Sequence, residues 1–278
     1  MFKKITLFII FFNIALFAKL NVAVSIAPEE FVVEKIGKDL VDITTIVKPG
    51  NSPHTYEPKP SQMRDLSKAK LYFAIGVEFE NAWLDKFKDL NKNLKIIRAD
   101  KNITKYPISN EKTQKHLDPH IWLDPINLKQ IAKNIYEALS AEDMANSKKY
   151  EINYQSFLKE LDTLNTQVKT KLAPLKNRKF LVFHPSWGYY AKRYNLEQIP
   201  IEVGGKEPKP KDLIKIIKTA KKNNIKVIIA QPEFSTKSAN IIVNEIGGVV
   251  IKISPVTKDV VSNIKKITDT IANGANSE

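Results

Sequence analysis

Two series of four short apolar runs flank one long amphipathic stretch, and this arrangement is the feature of the sequence that most restricts its fold. The first series lies at 21–25, 41–48, 71–75 and 94–97, and the second at 179–183, 198–202, 226–230 and 248–253. Amphipathic segments separate the runs within each series. Short apolar strands that alternate with helices indicate parallel sheets with crossover helices. The sequence therefore predicts the α/β class, with two small α/β lobes that each contain a parallel sheet.

The stretch at 142–172 predicts one long connecting α-helix between the two lobes. It contains no glycine or proline, and its apolar positions recur at helical spacing, at Phe157, Leu161, Leu164 and Val168. At about 1.5 Å per residue this helix would be roughly 45 Å long, enough to run the height of a two-lobed protein. A helical hairpin and the seam of a coiled-coil dimer are the alternatives.

The first residues have the pattern of a secretory signal. Lys3 and Lys4 precede an almost unbroken apolar run at 5–17, which is too short to span a bilayer. We expect cleavage after Ala18, although Leu16 is larger than the small residue usual at that position. A retained interfacial anchor is the alternative. The expected division of the chain is a signal peptide at 1–18, an N-terminal lobe at 19–140, a connecting helix at 141–176 and a C-terminal lobe at 177–278.

The sequence contains no cysteine, so the exported protein has neither a disulfide nor a lipidated cysteine. We therefore expect a free protein of the periplasm with no membrane anchor in its mature form. Without thiolates, any transition-metal site must be built from histidine and carboxylate, which excludes the common cysteine-based structural zinc clusters.

The chain is basic, but the pattern of its charge does not favour a nucleic-acid partner. The 44 basic residues fall to 42 when Lys3 and Lys4 are removed with the signal, against 30 acidic residues, which leaves a net charge of +12. Such a balance is also found in nucleic-acid-binding proteins. Here, however, the lysines are scattered along helical stretches such as 209–226, without a motif of alternating aromatic and basic residues. We expect a solvated surface, no nucleic acid and a monomer.

Three of the four histidines, His54, His120 and His184, lie next to a proline, which stiffens the backbone around each ring. His184 directly follows the first predicted strand of the second lobe, and His54 follows the second predicted strand of the first lobe. Carboxyl ends of parallel strands are where open α/β sheets place their ligands. His120 precedes the helix that is expected to start near Pro125. The three rings are therefore candidates for one metal site, and the alternative is three loop histidines with no common role.

At these residues the chain closely resembles a known family. The resemblance covers essentially the whole mature chain and rests on PGNSPHTYEP at 49–58, DPHIWLDP at 118–125, FHPSWGY at 183–189 and GKEP at 205–208. With these blocks the sequence is similar to the metal-binding proteins of ABC importers, and among them to the zinc-binding ZnuA-type branch of the zinc/manganese solute-binding family.

The resemblance implies two α/β lobes joined by the long helix, with a metal bound between them. By that match, His54 and His120 come from the N-terminal lobe and His184 from the C-terminal lobe. It further implies that Zn²⁺ is the transported ligand and that an ABC permease with its ATPase is the partner. Manganese members of the family typically carry glutamate at the position of His184. Neutral imidazole suits zinc, copper, nickel and iron, whereas manganese prefers oxygen-rich sites.

Two departures from the family pattern concern the rest of the site. The family commonly has an aspartate ligand where this chain has Ser254, so the fourth position is expected to hold water or a nearby carboxylate, with Glu233 and Glu57 as the candidates. Structural or supporting roles are the alternative for Glu57, as they are for Glu207. The histidine-rich loop of many zinc members is reduced here to His116, whose alternatives are a role in metal entry and a solvated position.

Three other functions remain open. One is binding of manganese or another divalent metal by the same site. A zinc hydrolase is a second, because three histidines and a water on zinc also describe a hydrolytic site, yet the chain contains no motif of such enzymes. A surface adhesin is the third, since a basic exported protein can meet anionic surfaces. The expected function is nevertheless a non-enzymatic one, capture and delivery of zinc.

Overall fold

Eight β-strands form the framework of the protein within the residues that the computed structural model describes, 19–108 and 117–275. The strands of the first half are β1 (Leu20–Ile26), β2 (Val41–Val47), β3 (Leu71–Ala74) and β4 (Lys95–Arg98). Those of the second half are β5 (Lys179–Val182), β6 (Glu197–Pro200), β7 (Val227–Ala230) and β8 (Val249–Lys252). Each lies within two residues of a predicted apolar run, so the predicted α/β alternation is confirmed.

The strands form two four-stranded sheets with the same topology. Their orders are β2-β1-β3-β4 and β6-β5-β7-β8, and all neighbouring strands are parallel. In each sheet the chain reverses its direction of winding between the first strand and its two neighbours. Loops that leave such a point diverge and open a crevice at the carboxyl ends of the strands. The fold class of two parallel-sheet lobes is therefore confirmed.

Nine α-helices connect the strands within the described ranges. They are α1 (Ala27–Gly37), α2 (Pro60–Leu66), α3 (Glu80–Leu90), α4 (Pro125–Glu142), α5 (Ser147–Leu172), α6 (Gly188–Arg193), α7 (Pro210–Lys222), α8 (Lys237–Ile246) and α9 (Val260–Ala275). Local chemistry explains several of their ends. Asp124 accepts a hydrogen bond from the amide of Ile126 at the start of α4, where Pro125 takes the first helical position.

Helix α5 is the predicted connecting helix, but it begins five residues later than expected. Residues up to Glu142 belong to α4, and a short turn separates the two helices. The Asp143 carboxylate stabilises this turn because it accepts hydrogen bonds from Asn146 at 2.9 Å and from the Tyr150 hydroxyl at 2.7 Å. Side chains that bond to nearby groups in this way compete with helix continuation. The 26 residues of α5 give it a length of about 39 Å.

The apolar face of α5 is buried within this one chain. Its buried residues are Tyr150, Phe157, Leu161, Leu164, Val168 and Leu172. They belong to a core that combines the first sheet and α1 with α9 and one face of the second sheet. A smaller core covers the opposite face of the second sheet, beneath α7 and α8. Since these positions are filled internally, the helix takes the single-helix form and its stripe provides no seam for a coiled coil.

Residues 1–18, which the sequence assigns to a signal peptide, lie outside the described residues. Among the helices that are described, none combines the length and apolar composition needed to cross a membrane.

Replacement of Leu161 by alanine tests the role of α5. Leu161 is fully buried, so Leu161→Ala is expected to lower the free energy of unfolding by about 2–5 kcal/mol, as buried leucine truncations do. Ile152→Ala on the same helix is the control, because Ile152 is 59% exposed and its loss is expected to change stability by less than about 0.5 kcal/mol. Urea denaturation of both proteins measures the difference, and equal stabilities would contradict the packing described for α5.

Candidate metal centre

The three proline-flanked histidines lie in loops at the carboxyl ends of the two sheets. His54 is in the loop after β2, and His184 is in the loop directly after β5. His120 precedes the short turn at Ile121–Leu123 that leads into α4. The crevice between the lobes receives all three loops because both sheets present the same ends to it.

These three imidazoles form the group that could hold a metal ion among the described residues. One ring nitrogen from each of His54, His120 and His184 lies within 4.8 Å of the other two. The ring of His184 is 5.5 Å from that of His54 and 5.4 Å from that of His120, measured between centroids. His120 and His184 are buried, whereas His54 is partly exposed. The cluster is therefore buried at His120 and His184 and open to solvent at His54.

A carboxylate contacts the Nδ1 atom of each of these rings. The three pairs are His54 with Glu78 at 2.9 Å, His120 with Asp118 at 2.7 Å and His184 with Glu202 at 2.8 Å. An ionised carboxylate only accepts hydrogen bonds, so such a contact favours the proton on Nδ1 and, in a neutral ring, leaves the lone pair of Nε2 for a metal. Carboxylates that orient histidine in this way are typical of zinc sites, where they also make the ligand more basic.

The electrostatics of His120 favour the neutral form that a metal requires. Burial is the largest influence and lowers the pKa of His120, and the Asp118 carboxylate opposes this effect. The neighbouring rings of His184 and His54 lower the pKa of His120 further, and the net direction is downward from its ordinary value. His120 is therefore neutral near pH 7, and no proton has to be removed before its Nε2 can bind a metal.

Two glutamines hold the backbone around His184. Gln231 is fully buried; its side-chain oxygen accepts from the His184 amide at 3.2 Å and its nitrogen donates to the His184 carbonyl at 2.8 Å. Gln198 accepts from the Trp187 amide at 3.0 Å and donates to the Pro185 carbonyl at 3.3 Å. Because β6 and β7 are the neighbours of β5, the loop is fixed from both sides before any metal arrives.

Side-chain contacts across the lobes hold the halves of the cluster at a fixed separation. Trp122 donates to the carbonyl of Pro255 at 2.7 Å, and the Tyr189 hydroxyl donates to the carbonyl of Asp118 at 2.8 Å. The Arg193 guanidinium makes a two-pronged ion pair with Asp124, at 3.1 Å and 2.9 Å. Such pairs fix orientation as well as distance.

The residues considered as a fourth ligand do not belong to the group formed by the three histidines. Glu57 is exposed and lies outside the histidine group, as does Glu233. The Ser254 hydroxyl donates a hydrogen bond to the Glu233 carboxylate. Glu207 accepts from the hydroxyl of Ser238, a structural contact of the kind that the sequence offered as an alternative. His116 lies outside the described residues.

Four residues at the site escaped the sequence reasoning, namely Glu78, Asp118, Glu202 and Gln231. Asp118 is the first residue of the motif DPHIWLDP at 118–125, and Glu202 is the last residue of the predicted strand at 198–202. A polar or acidic residue at the carboxyl end of a predicted parallel strand is the signal that could have identified Glu202 together with Gln231, which follows β7 directly. For Glu78 the signal is weaker, because it lies four residues beyond β3.

Comparisons with known proteins agree on one family. The family described as "Zinc-uptake complex component A periplasmic" matches residues 22–274. The high-affinity zinc uptake system protein ZnuA of Bacillus subtilis is 28% identical over 243 residues, which are 82% of this chain and 76% of that protein. A crystal structure of ZnuA is 45% identical and superposes with a TM-score of 0.87, over 93% of this chain and 100% of the other.

A manganese-bound protein has the same fold. The Mn-bound periplasmic metal binding protein of Candidatus Liberibacter asiaticus superposes with a TM-score of 0.78, over 91% of this chain and 100% of the other, at 24% identity. At that identity the similarity concerns the fold alone.

Replacement of Glu202 tests the contribution of the carboxylates. Glu202→Gln keeps a hydrogen-bonding group beside His184 but removes the charge, and we expect zinc affinity to fall by about tenfold or more. Glu197→Gln is the matched control, because Glu197 begins β6, the strand that leads to Glu202, and its exposed carboxylate pairs only with Lys179 among the contacts described. Competition with a chromophoric chelator measures both affinities. An equal affinity for the two variants would show that Glu202 does not support the site.

Proposed function

Because the chain belongs to the family of periplasmic zinc-uptake components, we propose that it captures Zn²⁺ with His54, His120 and His184 and delivers it to an ABC importer. The convergence of three imidazoles, each oriented by a carboxylate on Nδ1, is the observation that carries this proposal. Three nitrogen ligands and one open position form a familiar zinc arrangement. Such a site also releases its metal through the open position.

The ligand set favours zinc over manganese. All three proposed ligands are neutral nitrogen donors, whereas manganese prefers carboxylate, carbonyl and water oxygens. Copper and nickel are expected to bind at least as tightly as zinc at a nitrogen site, following the usual order of affinities. The metal that is carried therefore depends on supply in the compartment as well as on the protein. A manganese-binding protein of the same fold is the alternative.

Transport rather than catalysis is the role that we infer. The family consists of transport components, and a zinc hydrolase would need a substrate pocket and a general base beside the open position. The three carboxylates that contact the imidazoles are already engaged with Nδ1 atoms and serve to orient the ligands. These three carboxylates are therefore not free to take a proton from a metal-bound water, and the inference of transport rests on the family.

This role implies three steps for the protein: export, metal binding and docking on a transporter. Residues 1–18 direct export to the periplasm and are removed, which leaves a lobe at 19–140, a connecting segment at 141–176 and a second lobe at 177–278. The mature monomer binds one metal between the lobes and docks on the permease of an ABC transporter with its ATPase. Delivery requires contacts from both lobes, because only then can docking change the separation of His184 from the other two ligands.

Single histidine replacements test the site. We expect the mature protein to bind one zinc per chain, and His54→Ala, His120→Ala and His184→Ala each to weaken binding by more than about tenfold, since removal of a ligand costs at least as much as removal of its supporting partner. His116→Ala is the matched control and is expected to keep the parental affinity. Isothermal titration with zinc measures these effects.

The same titration with manganese tests the identity of the metal. A nitrogen site is expected to bind zinc much more tightly than manganese. Equal affinities for the two metals would overturn the zinc assignment while leaving a divalent-metal site in place, and the absence of any binding would overturn the site itself.

A further inference from the structure

Ser254 and Glu233 form a half-buried pair in two neighbouring loops of the second lobe. Ser254 follows β8 and Glu233 follows β7, so both lie at the same end of the second sheet as His184. The Ser254 hydroxyl donates to Oε1 of Glu233 at 2.5 Å. Ser254 is itself held in place, because its carbonyl accepts from Asn263 at 2.8 Å and from Thr257 at 3.1 Å. Glu233 is thus tied to a fixed point of the backbone.

The other oxygen of Glu233 has no partner among the described residues. Oε2 of Glu233 is buried without a hydrogen bond, and so is Nε2 of His184. Phe234, the next residue, stacks on the His184 ring with centroids 5.2 Å apart and planes 23° apart. The turn that carries Glu233 therefore packs directly against this histidine. A buried polar atom without a partner costs about 1–3 kcal/mol, so two of them on adjacent loops indicate a bound species that satisfies both.

A direct bond from Glu233 to the metal does not fit the geometry. The ligand atoms of the three histidines lie within 4.8 Å of one another, and Glu233 is not a member of that group. An ion with three protein ligands retains a water in its fourth position. A carboxylate oxygen that accepts a hydrogen bond from this water stands about 4 Å from the ion, because the metal–oxygen bond and the short charge-assisted hydrogen bond meet at an angle at the water oxygen. Glu233 is therefore suited to accept a hydrogen bond from the metal-bound water and not to bind the ion directly.

We propose that Glu233, held by Ser254, anchors the water that completes the coordination of the captured metal; this inference rests on the proposed function. The second lobe then contributes two groups to the metal, His184 directly and Glu233 through water. Ser254 occupies the position at which related proteins commonly offer an aspartate, and here it orients a neighbouring carboxylate instead. The fourth ligand is thereby exchangeable, since it is a water and not a protein side chain.

Three variants and a spectroscopic probe test the role of Glu233. Glu233→Leu is expected to weaken zinc binding by about 10- to 100-fold, as the loss of an outer hydrogen-bonding partner does. Glu233→Gln keeps an acceptor oxygen and is expected to lose less, and Ser254→Ala leaves Glu233 present but untethered and is expected to fall between wild type and Glu233→Leu. Glu245→Gln is the control, because Glu245 is exposed on α8 of the same lobe and pairs with Lys221. Thermal unfolding of the metal-free proteins identifies any variant that fails to fold.

Cobalt bound in place of zinc reports the coordination geometry itself. Wild type is expected to give the intense visible bands of four-coordinate Co²⁺, and Glu233→Leu and Ser254→Ala to shift or weaken them, whereas a purely structural loss would leave the bands unchanged. Unchanged zinc affinity and cobalt spectra in Glu233→Gln, Ser254→Ala and Glu233→Leu would overturn the inference. X-ray absorption that places a carboxylate oxygen of Glu233 in the inner shell would overturn it as well.

These outcomes are distinct from failure of the proposed function. If wild type binds zinc and His184→Ala does not, the histidine site stands whatever the Glu233 variants do. If wild type binds no zinc, the proposed function fails first.

Discussion

The packing of α5 against helices of both lobes is the interaction on which the metal centre depends. His54 and His120 come from one lobe and His184 from the other, so their mutual distances are set by how the two sheets are joined. The apolar face of α5 lies in the same core as α1 and α9. Close-packed cores are stiff and do not deform continuously. A histidine cluster built across such a junction is held in place by the packing of the two lobes.

Three kinds of contact fix the positions of the histidines before a metal binds. The prolines restrict the backbone beside the three histidines, Gln231 and Gln198 fix the loop of His184, and a carboxylate orients each ring. Every group that is ordered beforehand reduces the conformational entropy lost when the ligand binds. Tight binding then needs only small movements of the protein.

Charge gives a second reason for the placement of the carboxylates. Asp118 and Glu202 are buried beside His120 and His184, and a buried negative charge without compensation is unfavourable. A divalent cation at the Nε2 atoms would supply that compensation through the rings. Glu78, beside His54, is largely exposed to solvent, so the cost there is smaller. The need for a cation that compensates the carboxylate charges is thus greatest on the buried side of the cluster, where His120 and His184 lie.

The sequence by itself determined the order of strands and helices, the long apolar stripe from Phe157 to Leu172 and the candidate histidines, because these follow from local periodicity and from prolines beside the rings. It misplaced the start of α5, since the Asp143 contacts that end α4 involve side chains several residues apart. It did not find Glu78, Glu202 or Gln231 as partners, nor that Ser254 binds Glu233. Each of those contacts joins residues 18 to 47 positions apart, and only the parallel order of the strands, set by tertiary packing, brings their carboxyl ends together.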